Sequence, residues 1–208
     1  MQKDKLLEQI RRQATKGGVG TADDLKRISL RECELAAENI WADMLFLLLK
    51  DSQSIDYFIK SYDNSGAGID IQYDRDTKEY YVEIPIKITQ LPQNKGVHLV
   101  RGLGTNTKFL PTTNEDVDLF VDMDAMKYYD KILYVLEGTS RIKLLRFDYA
   151  SKNCRKVQLK LIPSFSEYAF TDDVPIPSGR ITEFTNMVAK YLFSSKRTLD
   201  TSNDGVSL

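Results

Sequence analysis

Apolar residues spaced three and four positions apart predict helices in the N-terminal part of the chain. In residues 4–15, Leu6, Leu7 and Ile10 share one face between charged residues. The segment Leu30–Lys50 has the strongest pattern, and Ser29-Leu30-Arg31-Glu32 fits a capping box at its start. Its apolar face is predicted to contain Cys33, Ala37, Ile40, Trp41, Met44 and Leu48. Because residues 45–49 are apolar on every side of a helix, this end is predicted to be buried all round.

The period then changes to two, which predicts half-buried strands. Residues 69–73 alternate apolar and polar side chains, and residues 80–88 do the same after a turn at residues 74–77. Pro85 interrupts the second strand and cannot donate a ladder hydrogen bond. That strand is therefore expected at a sheet edge or with a bulge.

A long loop is predicted over residues 89–118, which are rich in glycine and proline. Loops of this length are usually functional or conceal short strands, for which residues 98–100 and 108–110 are candidates. Further strands are predicted at residues 132–137, 141–149 and 156–162, arranged as a meander.

A last helix is predicted over residues 178–194, with Ser178 as its N-cap. Its apolar face would contain Ile181, Phe184, Met187, Val188, Tyr191 and Leu192. The run Asp172-Asp173-Val174-Pro175-Ile176-Pro177 precedes the helix, and a polar tail at residues 198–208 follows it. That tail is predicted to be disordered by itself.

These elements predict an α+β fold, with N-terminal helices and a C-terminal helix packed on a mostly antiparallel β-sheet. The predicted organisation is a helical segment at residues 1–63, a β-rich region at residues 64–170, a proline-preceded helix at residues 171–197 and the tail. All four are expected to form one structural domain, because 208 residues suffice for a single core.

Composition narrows the function classes. The formal net charge is −1, so no global field directs the chain to nucleic acid or to a membrane surface. No apolar run approaches the roughly 20 residues of a membrane span, and the first residues do not resemble a signal peptide. Cys33 and Cys154 are far apart in sequence, which indicates buried thiols in a reducing cytoplasm.

Catalytic motifs are weak. His98 is the single histidine, no serine lies in a G-x-S-x-G motif, and Gly102-Leu103-Gly104 lacks the third glycine of a dinucleotide-binding loop. The acidic residues at 114–118 and 122–124 do not have EF-hand spacing. We therefore expect no catalytic residues, no metal and no cofactor, and the chain is not expected to be an enzyme.

One enzymatic alternative remains open, a metal-dependent DNA-processing enzyme. Asp70 on one predicted strand, followed by Glu83 and Lys87 on the next, resembles the carboxylate and lysine set of some nucleases. Pro85 lies between the last two residues and disrupts the strand that such a site requires. A cytoplasmic protein-interaction adaptor is a second alternative.

Three features favour assembly with other subunits: the strand with Pro85, the long loop and residues 171–208. The hypothesised assembly contacts are Pro85, His98, Arg101, Phe109, Pro175, Pro177, Lys196 and Arg197.

The layout and the motif at residues 173–177 resemble the neck or ring proteins of tailed bacteriophages, above all the ring proteins of crAss-like phages. In that family an acidic stretch with an Ile-Pro-Ile-Pro-like run precedes a helix, and Asp173-Val174-Pro175-Ile176-Pro177 matches this pattern. The resemblance implies a structural virion protein made in the host bacterial cytoplasm. It further implies a head–tail connector ring of about twelve copies. Such a ring contacts the portal protein and neighbouring neck or tail rings, and DNA passes through its lumen without sequence readout.

Overall fold

The computed structural model describes residues 1–16, 28–51, 54–63, 66–104, 107–113, 132–145, 147 and 154–203, with side chains through Ser194 apart from that of Lys16. The chain forms two compact units. The helical unit comprises Met1–Tyr57 and Ser164–Leu208, and the sheet unit comprises Phe58–Pro163. The predicted β-rich region, residues 64–170, therefore begins and ends later than the sheet unit. The expectation of one structural domain stays a prediction.

Among its described residues, the helical unit contains three α-helices: α1 (Lys3–Lys16), α2 (Leu30–Lys50) and α3 (Ile181–Asn203). All three were predicted, and the capping box of α2 is confirmed. The Glu32 backbone N–H donates to Ser29 Oγ over 3.1 Å, and the Ser29 backbone N–H donates to Glu32 Oε2 over 2.6 Å. These two bonds satisfy backbone donors that the first helical turn leaves unpaired.

The last helix differs from its prediction at both ends. A 3-10 turn at Ser178–Arg180 precedes α3, so Ser178 lies inside this turn and is not the N-cap of the α-helix. Arg180 donates to Glu183 over 2.5 Å and to Asp51 over 3.3 Å, and these carboxylates raise its pKa above the ordinary value. At its other end α3 continues to Asn203, well into the predicted tail.

An aromatic cluster forms the centre of the helical unit. Trp41 on α2 lies 5.6 Å from the Phe165 ring, 6.0 Å from Tyr168 and 6.0 Å from Phe184 on α3. Tilted and edge-to-face rings at these distances add to the stabilisation from burial alone. The surrounding buried apolar side chains include Leu6, Leu7, Ile10, Cys33, Met44, Leu45, Leu48, Val188 and Leu192.

The described part of the sheet unit contains nine strands. They are β1 (Lys60–Tyr62), β2 (Ile69–Asp70), β3 (Gln72–Asp74), β4 (Glu79–Glu83), β5 (Val97–Gly102), β6 (Lys108–Pro111), β7 (Leu133–Glu137), β8 (Arg141–Leu145) and β9 (Lys156–Leu161). Their order is β1-β9-β5-β6-β7-β8-β4-β3, with β2 also paired to β9. Among the described strands only β6 and β7 pair in parallel. The α+β class and the mostly antiparallel sheet are confirmed; the predicted packing of the helices on the sheet stays a prediction.

The two ends of this order are joined by one stretch of chain. β2 pairs with β9, β3 pairs with β4, and Ile71 alone separates β2 from β3. The sheet therefore curls back on itself, which reduces the length of unpaired strand edge. The enclosed core contains Val82, Ile84, Ile88, Val97, Val100, Phe109, Ile132, Tyr134, Ile142, Leu144, Phe147, Cys154, Val157, Leu159 and Leu161.

Two strand predictions are wrong and one is confirmed. The strand with Pro85 has neither an edge nor a bulge, because β4 pairs with both β3 and β8 in continuous register and ends at Glu83, before the proline. Residues 89–118 do contain the short strands expected there, since β5 and β6 include the candidate segments 98–100 and 108–110. The third meander strand is also misplaced, since β9 pairs with β5, β1 and β2 and not with β8.

Some sequence predictions fall outside the described residues. They include the acidic residues at 114–118 and 122–124.

Candidate interaction surface

The acidic and proline-rich segment that suggested docking is bound by the chain's own first residues. The backbone N–H of Lys3 donates to the Asp172 carbonyl over 2.9 Å, and the N–H of Asp4 donates to the Phe170 carbonyl over 3.0 Å. The N–H of Val174 donates to the Met1 carbonyl over 3.0 Å. These bonds form a short antiparallel pairing, so much of the segment's backbone is already satisfied within the helical unit.

Side chains of this segment are also largely covered. Val174 and Ile176 are buried, whereas Pro175 and Pro177 are half-buried. Asp173 is exposed. Only part of each proline and the Asp173 side chain are therefore accessible at the surface of this segment. Its aliphatic side chains belong to the core.

The buried side chain of Lys3 also binds the chain just before this segment. Its side chain is 1% exposed, and Nζ donates to Glu34 Oε1 over 2.6 Å and to the Tyr168 carbonyl over 2.7 Å. Nζ also lies 5.1 Å from the Phe165 ring centroid and 5.4 Å from that of Phe170. A buried cation needs this kind of paired and hydrogen-bonded surrounding, so we assign Lys3 to the fold.

The hypothesised contacts in the sheet unit have different environments. His98 and Arg101 are exposed on β5, and the register with β9 shifts at His98, which marks a bulge. Pro85 is exposed beyond the end of β4. Phe109 is 1% exposed and belongs to the core, so it cannot contact another subunit unless the sheet opens. Lys196 and Arg197 lie within α3, but their side chains are outside the described set.

The two acids of the nuclease-like set each lie beside a basic residue. Asp70 on β2 is exposed and pairs with Lys156 on β9 over 3.7 Å. Glu83 on β4 is registered with Arg141 on β8. Across the described parts of the chain, no group of three or more histidine, cysteine, aspartate or glutamate side chains is close enough to hold a metal ion.

The helix α2 presents a second apolar face, opposite the buried one. Leu35, Asn39, Ala42, Phe46 and Leu49 follow one another at intervals of four, three, four and three residues, and so lie along one side of the helix. Leu35 is 59% exposed and Phe46 is 46% exposed. Asn39 is exposed, and Ala42 and Leu49 are half-buried. We name these five residues the α2 stripe.

Polar and charged side chains border the stripe. Asn39 Nδ2 donates to the Tyr191 hydroxyl of α3 over 3.1 Å, which fixes the side chain that interrupts the apolar row. Arg31, Asp43 and Lys50 are exposed on α2. The stripe therefore has the pattern of a helix-docking seam, with an apolar row, one polar position and charged flanks.

Sequence reasoning missed this surface for an identifiable reason. The apolar run at residues 45–49 was predicted to be buried on all sides, but Phe46 and Leu47 are exposed. The stronger apolar pattern of α2 belongs to the face that contains Trp41. Leu35, Ala42 and Phe46 form a second row with four-three spacing on the opposite side, and this row is the sequence signal for the exposed surface.

Comparison of the sequence with protein-family models and with curated proteins gives no match. Among the residues that the structure describes, no helix has both the length and the apolar character that crossing a bilayer requires.

Proposed function

We propose that this chain is an assembly protein that binds other protein subunits through its helical unit. The α2 stripe is the observation that carries this proposal. Isolated exposed apolar residues are ordinary, but an ordered row along one helix is typical of a protein-contact surface. The exposed Leu47 extends the apolar area at the C-terminal end of α2.

We further propose the specific role of a head–tail connector ring in a tailed bacteriophage. The support is the motif at residues 173–177 and the order of helices, β-rich region and C-terminal helix. In this role the protein is a virion component that contacts the portal and neighbouring rings. DNA passes through the ring, and the formal net charge of −1 suits passage without tight phosphate binding.

Mass spectrometry of purified virus particles tests the virion role. We expect this chain at a copy number comparable to the portal protein. Its absence from particles, or normal genome delivery by a virus that lacks it, would overturn the connector proposal. Incubating the purified protein with DNA and Mg²⁺ or Mn²⁺ tests the enzymatic alternative. DNA cleavage that disappears in Glu83→Ala would replace the structural role with a catalytic one.

A further inference from the structure

We infer that the α2 stripe binds the α2 stripe of a second copy of this chain, with the two helices antiparallel. This inference names the partner of the surface on which the proposed function rests. It does not depend on a virion role.

The spacing of the stripe identifies the occupant as a helix. Alternating intervals of four and three residues keep a row of side chains facing a partner helix along its length. From Leu35 to Leu49 the row extends about 21 Å at 1.5 Å per residue, or two heptads. An extended peptide presents same-face side chains at every second residue, about 6.7 Å apart, which does not match the spacing of this row.

The stripe is complementary to itself when one copy is reversed. Ala42 is its middle residue, so a two-fold axis at Ala42 places the small side chains of both copies together and lets the helices approach closely. Leu35 then faces Leu49 of the second copy. Phe46 faces Asn39 of the second copy, which places the largest side chain opposite a smaller one. Such alternation of size fills an interface without voids.

Charges at the helix ends favour the same orientation. In the antiparallel pair the same flank of each helix meets, which brings Lys50 close to Glu32 of the second copy, twice by symmetry; Glu32 also accepts the capping-box bonds of Ser29. The two exposed Asp43 side chains meet near the two-fold axis, and their repulsion offsets part of this attraction. The reversed helix dipoles also attract each other, because each positive N-terminus lies beside a negative C-terminus. A parallel pair lacks the dipole attraction and moves Lys50 away from Glu32.

Sedimentation equilibrium of the full chain tests the inference. Two heptads bury less than a standard interface, so we expect a monomer–dimer equilibrium that is populated at about 100 µM protein. Phe46→Asp should raise the dimer Kd at least tenfold, and Leu35→Lys should do the same. Phe193→Asp is the matched control, because Phe193 is 39% exposed on α3 and lies outside the stripe. Circular dichroism of each variant checks that the fold is retained.

Cysteine cross-linking with diamide as the oxidant tests the orientation. Ala42→Cys should form a covalent dimer, whereas the wild-type thiols Cys33 and Cys154 are buried and should not. Leu35→Cys alone should stay monomeric, and an equal mixture of Leu35→Cys and Leu49→Cys should cross-link. Efficient dimers of Leu35→Cys alone would show a parallel pair and overturn the antiparallel geometry.

The remaining outcomes separate this inference from the proposed function. A wild-type chain that stays monomeric at this concentration, or equal weakening by Phe193→Asp, overturns the stripe pairing. Larger assemblies that Phe46→Asp leaves intact also overturn it, while assembly itself stands. A stripe-dependent dimer that is absent from virus particles supports the pairing and refutes the connector role.

Discussion

Gly96 is a residue whose identity the backbone dictates. A β-carbon at this position would overlap the Thr89 carbonyl oxygen, which is backbone and cannot rotate away. The surrounding chain is held by the Ile162 N–H donating to the Gly96 carbonyl and the Thr89 N–H donating to the Ile162 carbonyl, both over 2.9 Å. The close approach of these three segments is possible only without a side chain.

Gly96→Ala should therefore lower the free energy of unfolding by about 2 to 3 kcal/mol, because the backbone must shift to admit the methyl group. Urea denaturation measures this loss. Gly179→Ala is the matched control, since a β-carbon there meets no atom within 4 Å. Its effect should stay within about 0.5 kcal/mol. Equal effects of the two substitutions would contradict the predicted overlap.

Tyr134 makes stability depend on alkaline pH. Burial in the sheet core raises the pKa of its hydroxyl to about 12, because ionisation without water is unfavourable. An unfolded tyrosine ionises near pH 10, so the unfolded state loses this proton first. The contribution to stability is complete below about pH 10 and falls as pH rises toward 12.

Tyr134→Phe should make the decline of stability between about pH 10 and pH 12 shallower, by up to about 1.4 kcal/mol per pH unit. Denaturant titrations across this pH range give the slope. Tyr57→Phe serves as the control, because Tyr57 is 75% exposed. A Tyr134→Phe slope equal to that of the wild type would show that burial of this hydroxyl has no part in the pH dependence.

At the scale of elements, sequence patterns located the helices better than they located the partners of strands. The start of α2 was predictable because Ser29 and Glu32 act locally. The place of β4 within the sheet was not predictable, because its pairing with β3 and β8 depends on residues far away in sequence. Pro85 suggested an edge, whereas the chain ends the strand before the proline. Local chemistry is visible in sequence, but long-range pairing is not.

The two faces of α2 give a direct test of this element. Met44 is 4% exposed among apolar side chains, so Met44→Asp should unfold the helical unit by burying an unpaired charge. Leu35→Asp is on the opposite face and should remain folded, with a change within about 1 kcal/mol. Thermal melts followed by circular dichroism compare the two. A folded Met44→Asp variant would refute the assignment of the buried face.

At the scale of the whole molecule, the α+β fold class could be predicted from the sequence, but the division into two compact units could not. The helical unit is assembled from both ends of the chain, and the sheet unit is a single stretch between them. No composition change marks either boundary, because Tyr57, Phe58 and Pro163 lie in ordinary sequence. The α2 stripe was not predicted for a related reason. Whether a helix face is exposed depends on which distant segments of the chain pack against it.

Deleting residues 198–208 tests the role of the chain end in the whole molecule. The fold should persist with a loss below about 1 kcal/mol, because the last described core residue of α3 is Leu192. Assembly is expected to weaken if these residues contact a neighbour. Deleting residues 190–208 is the comparison, and it should cost several times more stability because it removes Leu192. Sedimentation measures assembly, and urea titration measures the free energy of unfolding. Unchanged assembly would remove residues 198–208 from the predicted contacts.

The nested order of the two units has a consequence for synthesis on the ribosome. α1 and α2 emerge early, but the aromatic rings that complete their core, Phe165, Tyr168 and Phe184, are translated more than a hundred residues later. While the intervening strands are made, nascent α2 therefore has α1 but lacks the aromatic rings that cover the rest of its buried face, and its stripe is exposed. A chaperone that binds exposed apolar helices should therefore bind this precursor. The yield of folded protein should depend on that binding more than on the final stability of the folded chain.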